Sequence, residues 1–294
     1  MLSVVGHSLS RPAQREWLCR HLVPMVLDPA VLSRDVSVRT LKTGRVPVLC
    51  SPYAWTHRAV YWCGCLSESA LEKYFSATLR PGDSYIDVGC NYGHLCMLAS
   101  HCVGEDGCVL AFEANPGLAE ILSAHIDDHA VTNVTVYPFG LSDVAGDFAL
   151  RVNPKQLGLS TLRQVPTTER GSGQFTETVN CELRTGDNVL MHKAPPGRAL
   201  LKVDVEGHEL QVLRGMSATL SRRVHCAIVE ISPRWLGERD GVREIFEFMS
   251  DRGFNAYKLT DAGTAGDRLA PEAVATQANV LFLRRQDDGG DAWA

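Results

Sequence analysis

The sequence contains no apolar run that approaches the roughly 20 residues needed to cross a bilayer. Its first residues also lack the charged start and long apolar core of a signal peptide. Ten cysteines are scattered along the chain without a C-x-x-C pair, and Cys63-Gly-Cys65 is the closest pair. These absences disfavour a disulfide framework or a structural zinc site. We therefore predict reduced thiols in a cytoplasmic protein without a membrane partner.

An excess of positive charge is missing as well. The formal net charge is −5, and no stretch forms an obvious basic stripe. Because nucleic-acid binding depends on contacts with phosphates, we do not expect a nucleic-acid partner. Hydrophobic residues make up 45% of the 294 residues, which is enough for one large α/β domain with an N-terminal addition.

From Tyr85 onward, short apolar runs alternate with amphipathic runs of helical period. This alternation predicts an α/β fold with a mostly parallel sheet and helices on both faces. Ligands bind such sheets at the carboxyl ends of the strands, beside the switch in strand order. After the run at Tyr85 the predicted strands are Val109–Glu113, Val134–Phe139, Ala199–Asp204, Cys226–Ile231, Asn255–Leu259 and Asn279–Leu283, with helices near 94–103, 117–130, 207–216 and 241–252.

The first 66 residues do not follow this alternation. Residues 1–34 have apolar side chains at helical spacing, and residues 35–50 alternate like a β-hairpin. An aromatic-rich segment from Tyr53 to Trp62 follows, for which packing against the main domain is favoured over a wall of the substrate pocket. We predict that residues 1–66 form an extension that caps the substrate site.

A second departure lies between Ser142 and Arg198, where no clear helix can be seen. Phe148–Val152 and Phe175–Leu183 alternate like strands, and the link between them is rich in Gly, Ser, Thr and Pro. We predict a β-hairpin insertion at about 144–198, whose tip at 153–174 is either a lid or disordered. The main domain is predicted to span 67–285, and the tail at 286–294 to be disordered.

Acidic and small residues follow four of the predicted strands. Asp87 and a turn with Gly89, Asn91 and Gly93 come after the first strand, and a glycine turn lets a ligand approach the main chain. Glu113 closes the next strand, at a spacing typical of a carboxylate that binds ribose hydroxyls. Parallel strands end at one edge of a sheet, so we predict one nucleotide-type site. The remaining members follow the third and fourth strands: Ser142, Asp143 and Asp204.

The turn discriminates between two adenosine cofactors. A dinucleotide fingerprint has a second glycine that admits the pyrophosphate, but Asn91 stands at that point. Asp87 would also oppose a pyrophosphate and would favour an ammonium or a sulfonium. These residues favour S-adenosylmethionine over NAD, and a nicotinamide-dependent oxidoreductase is disfavoured.

Five motifs stand out in the sequence: YIDVGCNYG (85–93), FEANP (112–116), FGLSD (139–143), GLSTL (158–162) and LLKVDVEGHELQVLRG (200–215). In these motifs, of which the last is the most specific, the chain resembles the FkbM family of class I S-adenosylmethionine-dependent methyltransferases. The resemblance covers roughly residues 60–285. Cys90 stands where the family commonly has Ala, and residues 1–58 have no match.

The resemblance implies a Rossmann-like class I fold, with a seven-stranded sheet whose last strand is antiparallel. It implies methyl transfer, commonly to a hydroxyl oxygen of a natural product or sugar in secondary metabolism. The alternatives are an N-methyltransferase, an enzyme that acts on a macromolecule, and a non-catalytic protein that binds S-adenosylmethionine. By the same resemblance, the amino-acid part of the cofactor lies at Asp87, Gly89, Asn91 and Gly93, the ribose at Glu113, and the adenine near Ser142 and Asp143.

The methyl group should lie near the end of the fourth strand, where a base could take the proton of a hydroxyl acceptor. Asp204 is the first candidate, Glu206 and His208 are further candidates, and His57 is a weaker one. Asp204, Glu206 and Glu230 could instead hold Mg²⁺, or pair with basic residues such as Lys202. We expect no metal. The acceptor and the oligomeric state, including a homo-oligomer, are left open.

Overall fold

A computed structural model describes residues 36–52, 54, 57–154, 159–163, 175–191, 197–237 and 239–285. The predicted N-terminal helix, part of the aromatic-rich segment, most of the link at 153–174 and the tail lie outside the described residues. Within those ranges, no helix is both long enough and apolar enough to cross a membrane.

The described elements alternate as the sequence predicts. The strands are β1 (Ser37–Thr40), β2 (Pro47–Cys50), β3 (Ser84–Val88), β4 (Cys108–Phe112), β5 (Val134–Tyr137), β6 (Gly140–Leu141), β7 (Gly146–Val152), β8 (Ser160–Thr161), β9 (Glu177–Arg184), β10 (Ala199–Val203), β11 (Val224–Ile231), β12 (Phe254–Leu259), β13 (Ala265–Arg268) and β14 (Ala278–Arg284). The α-helices are α1 (Arg58–Cys63), α2 (Ser69–Thr78), α3 (His94–Val103), α4 (Pro116–Asp128), α5 (Gly186–Leu190), α6 (Glu209–Gly215), α7 (Ser217–Arg222) and α8 (Arg239–Asp251); Pro271–Ala273 forms a 3-10 turn.

The central sheet has the strand order β13-β12-β14-β11-β10-β3-β4-β5. Its pairs from β11 to β5 are parallel, and β14 runs antiparallel to both β11 and β12. This arrangement confirms the Rossmann-like fold and the antiparallel last strand. The sheet has an eighth strand, β13, which was not predicted because its four residues, Ala-Gly-Asp-Arg, carry no apolar run.

The switch in strand order lies between β3 and β10. From β3 the chain continues to β4 and β5 on one side, and it later returns to β10 and β11 on the other. In doubly wound sheets a ligand binds in the crevice outside the carboxyl ends of the strands at this point. The residues that follow β3 and β10 therefore form the two sides of the expected site.

Both strands at the switch point are buried on both faces of the sheet. Leu200 on β10 packs in the core layer with Met97 of α3, and Leu201 packs in the opposite layer with Met216. Burying a Leu side chain contributes about 1.5–3 kcal/mol, so these layers hold the sheet in place. Because side chains alternate along a strand, Lys202 points to the same side of the sheet as Leu200.

The insertion is built around the predicted hairpin. β7 and β9 pair antiparallel, and with β6 and β8 they form a small sheet in the order β6-β9-β7-β8. Its apolar face includes Leu150 and Leu183. The prediction of no helix in this region was wrong, because α5 follows β9; five residues are too few to show a helical period.

The predicted N-terminal hairpin is present as β1 and β2. Two histidines of the main domain bond to its main chain, and a third histidine bonds to the residue that follows it. His94 Nε2 donates to the Leu49 carbonyl, and His125 Nε2 donates to the Pro47 carbonyl at 3.2 Å. His57 Nδ1 accepts from the Ser51 amide at 3.1 Å. We call these three side chains, His57, His94 and His125, the histidine row.

Within the histidine row, His57 packs closely against aromatic rings of the main domain. The rings of His57 and His94 are 4.6 Å apart, and His57 also meets the Tyr92 ring edge-on at 4.5 Å. His57 is buried and does not line the crevice at the switch in strand order. These contacts favour packing, rather than catalysis, as its role.

Candidate active site

The turn after β3 requires glycine at both of its ends. A Cβ atom on Gly89 would lie 1.9 Å from the Asp204 carbonyl oxygen, and one on Gly93 would lie 2.4 Å from Leu122 Cδ1. Asn91 between them has a φ of 53°, a conformation that Asn tolerates better than most residues. The close approach at Gly89 brings the turn after β3 directly against the end of β10.

Glu113 stands at the end of β4 with both carboxylate oxygens held by the main chain. Oε2 accepts from the Asn91 amide and Oε1 from the Asn115 amide, each at 2.8 Å. Burial raises the pKa of Glu113 to about 7, although the two amide bonds act in the opposite direction. Each oxygen keeps a further lone pair, so the carboxylate can accept two more hydrogen bonds on the cleft side.

Asp87 lies beneath the turn rather than in the wall of the cleft. It is buried, and the Cys96 thiol donates to its Oδ2 at 3.1 Å. Burial raises its pKa to about 6, while nearby Lys202 acts to lower it. Its direct contact with a cofactor therefore stays a prediction, and its position suits support of the turn from below.

Ser142 and Asp143 lie at one end of the cleft without lining it. The Ser142 hydroxyl donates to Asp143 Oδ1 at 3.1 Å and lies 2.9 Å from His208 Nε2. The adjacent Gly140 and Leu141 do line the cleft. The proximity of Ser142 and Asp143 to an adenine stays a prediction.

Three carboxyl groups lie together on the β10 side of the cleft, and we call them the acid cluster: Asp204, Glu206 and Glu230. Oxygens from all three lie within 4.8 Å of one another. The buried Lys202 ammonium donates to Asp204 Oδ2 at 2.7 Å, so the pairing considered from the sequence is present. A hydrogen bond also joins Asp204 to Glu230.

The three carboxyl groups of the acid cluster have very different pKa values. Burial alone would raise the pKa of Asp204, but the Lys202 ammonium outweighs burial and the pKa is lowered. Burial and the neighbouring Asp204 raise the pKa of Glu206 to about 8 and that of Glu230 to about 10. Near pH 7, Asp204 is therefore the ionised member.

The spacing of the acid cluster would allow its oxygens to share a hard cation. However, Asp204 Oδ2 is already engaged by an ammonium, and raised pKa values keep protons on the other two groups. We assign no metal to these residues.

The loop from Asp204 to His208 is held from two directions. Glu209 Oε1 accepts from the Gly207 amide at 3.0 Å, and Thr161 of the insertion donates its hydroxyl to the Glu206 carbonyl at 2.7 Å. Glu206 itself has a φ of 53°. The insertion is thus bonded directly to the loop that carries the candidate catalytic residues.

His208 ends this loop and lines the cleft. It contacts the Ser142 hydroxyl through Nε2, and burial lowers its pKa. His208 therefore connects the two sides of the cleft, and this engagement of Nε2 makes it a poorer candidate for the base than Asp204.

These parts line an open cleft at the carboxyl ends of β3, β4 and β10. Its lining includes Gly89, Asn91, Glu113, Asp204, Glu206 and His208 from the predicted set. The sequence assigned no role to the apolar wall, most of which comes from the insertion: Ala114, Leu141, Leu150, Leu162 and Leu183. The GLSTL motif was the only signal that could have pointed to Leu162.

Together the fold and the cleft are those of a Rossmann-like protein with a site at the switch in strand order. The family described as Methyltransferase FkbM domain matches residues 87–256. The chain belongs to this family, as its motifs predicted.

Curated relatives agree with this assignment. The chain is 29% identical over 238 residues to methyltransferase sdnD of Sordaria araneosa, covering 73% of this chain and 86% of that protein. It is 34% identical over 147 residues to the hexuronic acid methyltransferase AglP of Haloferax volcanii, covering 49% of this chain and 54% of AglP. A solved FkbM methyltransferase from Methylobacillus flagellatus matches 78% of this chain and 54% of that one, at 15% identity and a TM-score of 0.43. Sequence relatives thus carry the assignment, and the chain is a methyltransferase.

Proposed function

We propose that this chain transfers the methyl group of S-adenosylmethionine to a hydroxyl oxygen of a small molecule. The observation that carries the cofactor is Glu113, whose carboxylate is held by two backbone amides at the edge of the cleft. A carboxylate fixed in this way can accept hydrogen bonds from both hydroxyls of a ribose. Membership of a methyltransferase family then favours S-adenosylmethionine among the cofactors that carry a ribose.

The rest of the cofactor extends from the ribose in both directions. Its amino-acid part lies along the turn from Gly89 through Asn91 to Gly93, with Asp87 and Asp204 as the nearby negative charges. Its adenine lies between the apolar wall and the Ser142–Asp143 end of the cleft. This orientation directs the sulfonium toward Asp204, where a positive charge is favoured.

NAD fits these residues less well. Its pyrophosphate would lie at the turn after β3, where Asn91 stands in place of the glycine that admits a pyrophosphate. Asp87 and Asp204 would repel the phosphates. Both effects favour the sulfonium cofactor.

Asp204 is the proposed proton acceptor. In methyl transfer the C–S bond breaks as the O–C bond forms, and the proton of the hydroxyl must leave. A base has to be ionised at the working pH, and Lys202 keeps Asp204 in that state while Glu206 and Glu230 hold their protons. Glu206 and His208 then act as groups that orient the acceptor in the cleft.

A small-molecule acceptor agrees with the relative AglP, which is a hexuronic acid methyltransferase. Amine acceptors and macromolecules are the competing substrates, and a non-catalytic cofactor-binding protein is the competing class. The ionised Asp204 favours an active enzyme. The cytoplasmic compartment stays a prediction from the sequence.

Two measurements test this function. Calorimetry should show binding of S-adenosylmethionine and S-adenosylhomocysteine but not of NAD. With a methyl-labelled cofactor and a cell extract, the label should appear in the small-molecule fraction and persist after chelation of metals. Absence of binding to both sulfur cofactors overturns the proposal, and label in protein or RNA alone overturns the acceptor class.

A further inference from the structure

Lys202 is a buried lysine in the middle of the sheet. It occupies the fourth position of β10, and its side chain is 2% exposed. Lysine is rarely buried to this degree without a charged partner. The other four residues of the strand are apolar, so packing alone does not account for a lysine at this position.

The neighbours of Lys202 belong to both sides of the cleft. Across the strand pair, Lys202 is directly opposite Asp87 of β3, which lies under the cofactor turn. At the end of its own strand, its ammonium donates to Asp204 at 2.7 Å. One ammonium thus lies between an acid of the cofactor side and the proposed proton acceptor.

The surroundings of this ammonium are strongly acidic. It acts electrostatically on Asp87, Asp204, Glu206 and Glu230, and Glu68 before α2 also faces it. Like charges this close do not all ionise, so removing the ammonium should make the acids take up a proton. The acids that face Asp204 or Lys202 from the packed elements are Glu68, Asp87, Glu113, Glu206, Glu209 and Glu230.

We propose that Lys202 is a positioning residue that orients Asp204 as an anion for proton acceptance and links it electrostatically to Asp87 beneath the cofactor turn. This inference rests on the proposed function, because it assigns Asp204 the acceptor role. A purely structural lysine would fill space and satisfy charge without controlling which carboxyl group is ionised. The two roles differ in the protonation of Asp204.

The main test is the protonation of Asp204, followed by carboxyl carbon NMR in protein labelled with ¹³C-aspartate. Asp204→Asn identifies the signal. In Lys202→Met the pKa of Asp204 should rise by about 1–3 units, the size of the effect of a nearby opposite charge. Lys202→Arg, which keeps the charge, should leave Asp204 closer to its state in the unaltered protein. The matched control is Lys258→Met, at an exposed lysine of β12, which should leave the Asp204 signal unchanged.

An Asp204 pKa in Lys202→Met within 0.3 units (about twofold in proton affinity) of the unaltered protein overturns the proposal. If Lys202→Met does not fold, Lys202→Gln, which also removes the charge, replaces it under the same criterion. In the unaltered protein, ¹⁵N NMR should also show that the Lys202 ammonium keeps its proton above the ordinary lysine pKa of about 10.4, and loss of the proton below this value contradicts the proposal.

Binding of S-adenosylhomocysteine, measured by calorimetry on the same samples, separates this inference from the proposed function. Failure of the unaltered protein to bind overturns the function. Normal binding with an unshifted Asp204 signal in Lys202→Met overturns the role of Lys202 alone.

Discussion

The histidine row and the acid cluster are two sets of titratable side chains that are held in opposite ways. Each member of the histidine row exchanges a hydrogen bond with the main chain of the N-terminal hairpin or of the residue that follows it. The acid cluster turns its oxygens toward one another and has one ammonium bonded to a single member. The histidines have their hydrogen bonds satisfied within the fold, whereas the buried carboxyl groups destabilise the protein when no ligand is bound.

This difference separates a structural role from a functional one. A buried polar group that the main chain satisfies stabilises the fold. Carboxyl groups that raise one another's pKa are typical of sites that act on a ligand. The comparison supports the proposal that proton acceptance occurs at Asp204, and it indicates that His57, His94 and His125 help to attach the hairpin.

One member of each set, His94 and Glu230, shows that burial can give the pH dependence of stability opposite signs. Burial lowers the pKa of His94 from 6.5 to about 4, so its contribution to stability is present above pH 6.5 and is lost as pH falls through 4. Burial raises the pKa of Glu230 from 4.5 to about 10, so its contribution is present below pH 4.5 and is lost as pH rises through 10.

The largest effect is expected from Asp204→Asn. The amide keeps the shape of the side chain but cannot take a proton, so methyl transfer should fall by about 100-fold or more, in the range usual for a lost general base. Transfer of labelled methyl to the extract measures this loss. Binding of S-adenosylhomocysteine should stay within a few fold.

Asp106→Asn is the matched control, because Asp106 is an exposed acid in the loop before β4. It should keep full transfer. Near-normal turnover in Asp204→Asn, with the cofactor still bound, would remove Asp204 as the proton acceptor.

Glu113→Ala should weaken S-adenosylhomocysteine binding by about 100-fold or more, since each hydrogen bond to a charged group contributes about 1.5–3 kcal/mol. Calorimetry gives the affinity, and circular dichroism confirms the fold. Glu120→Ala, at an exposed position on α4, is the control and should bind normally. Unchanged affinity in Glu113→Ala would contradict the ribose contact.

Glu230→Gln should alter the pH dependence of stability. The amide cannot ionise, so the cost that Glu230 adds as pH rises is removed. The melting temperature of the variant, relative to that of the unaltered protein, should therefore increase between pH 5 and about 9. The difference should reach several degrees at the upper end. Thermal unfolding of the empty proteins measures this gain, and a difference that is constant with pH would contradict it.

The smallest effect is expected from His94→Gln. Glutamine can still donate to the Leu49 carbonyl but cannot take a proton. The variant should melt within a few degrees of the unaltered protein at pH 7.5 and should lose less stability than it between pH 6.5 and 4. Its S-adenosylhomocysteine affinity should be little changed. If the variant loses as much stability between pH 6.5 and 4 as the unaltered protein does, His94 does not cause this pH dependence.

The central sheet could be predicted because its parallel strands are buried on both faces and appear as continuous apolar runs, as β3 and β10 do. The glycine turn and Glu113 could be placed at one edge of that sheet by their positions after strands. Strand β13 was not predicted because its four residues contain no apolar run. Helix α5 was not predicted because its five residues are too few to show a helical period.

The remainder of the site depends on contacts that no local pattern records. Leu150 and Leu183 reach the cleft only through the pairing register of β7 with β9. Lys202 could be named as a partner of the acids, but its place between Asp87 and Asp204 follows from the register of β10 on β3. Such positions are set by pairing between distant parts of the chain.

The contact of Gly89 with the Asp204 carbonyl also bears on how the site is made. The turn and the strand end that meet there are far apart in sequence, and contacts of this kind form late because the loop between them must first close. During synthesis, Asp204 must have emerged from the ribosome before the turn can reach its final conformation. A cofactor that needs both sides can therefore bind only a chain whose sheet is already assembled, and its binding reports the completion of folding.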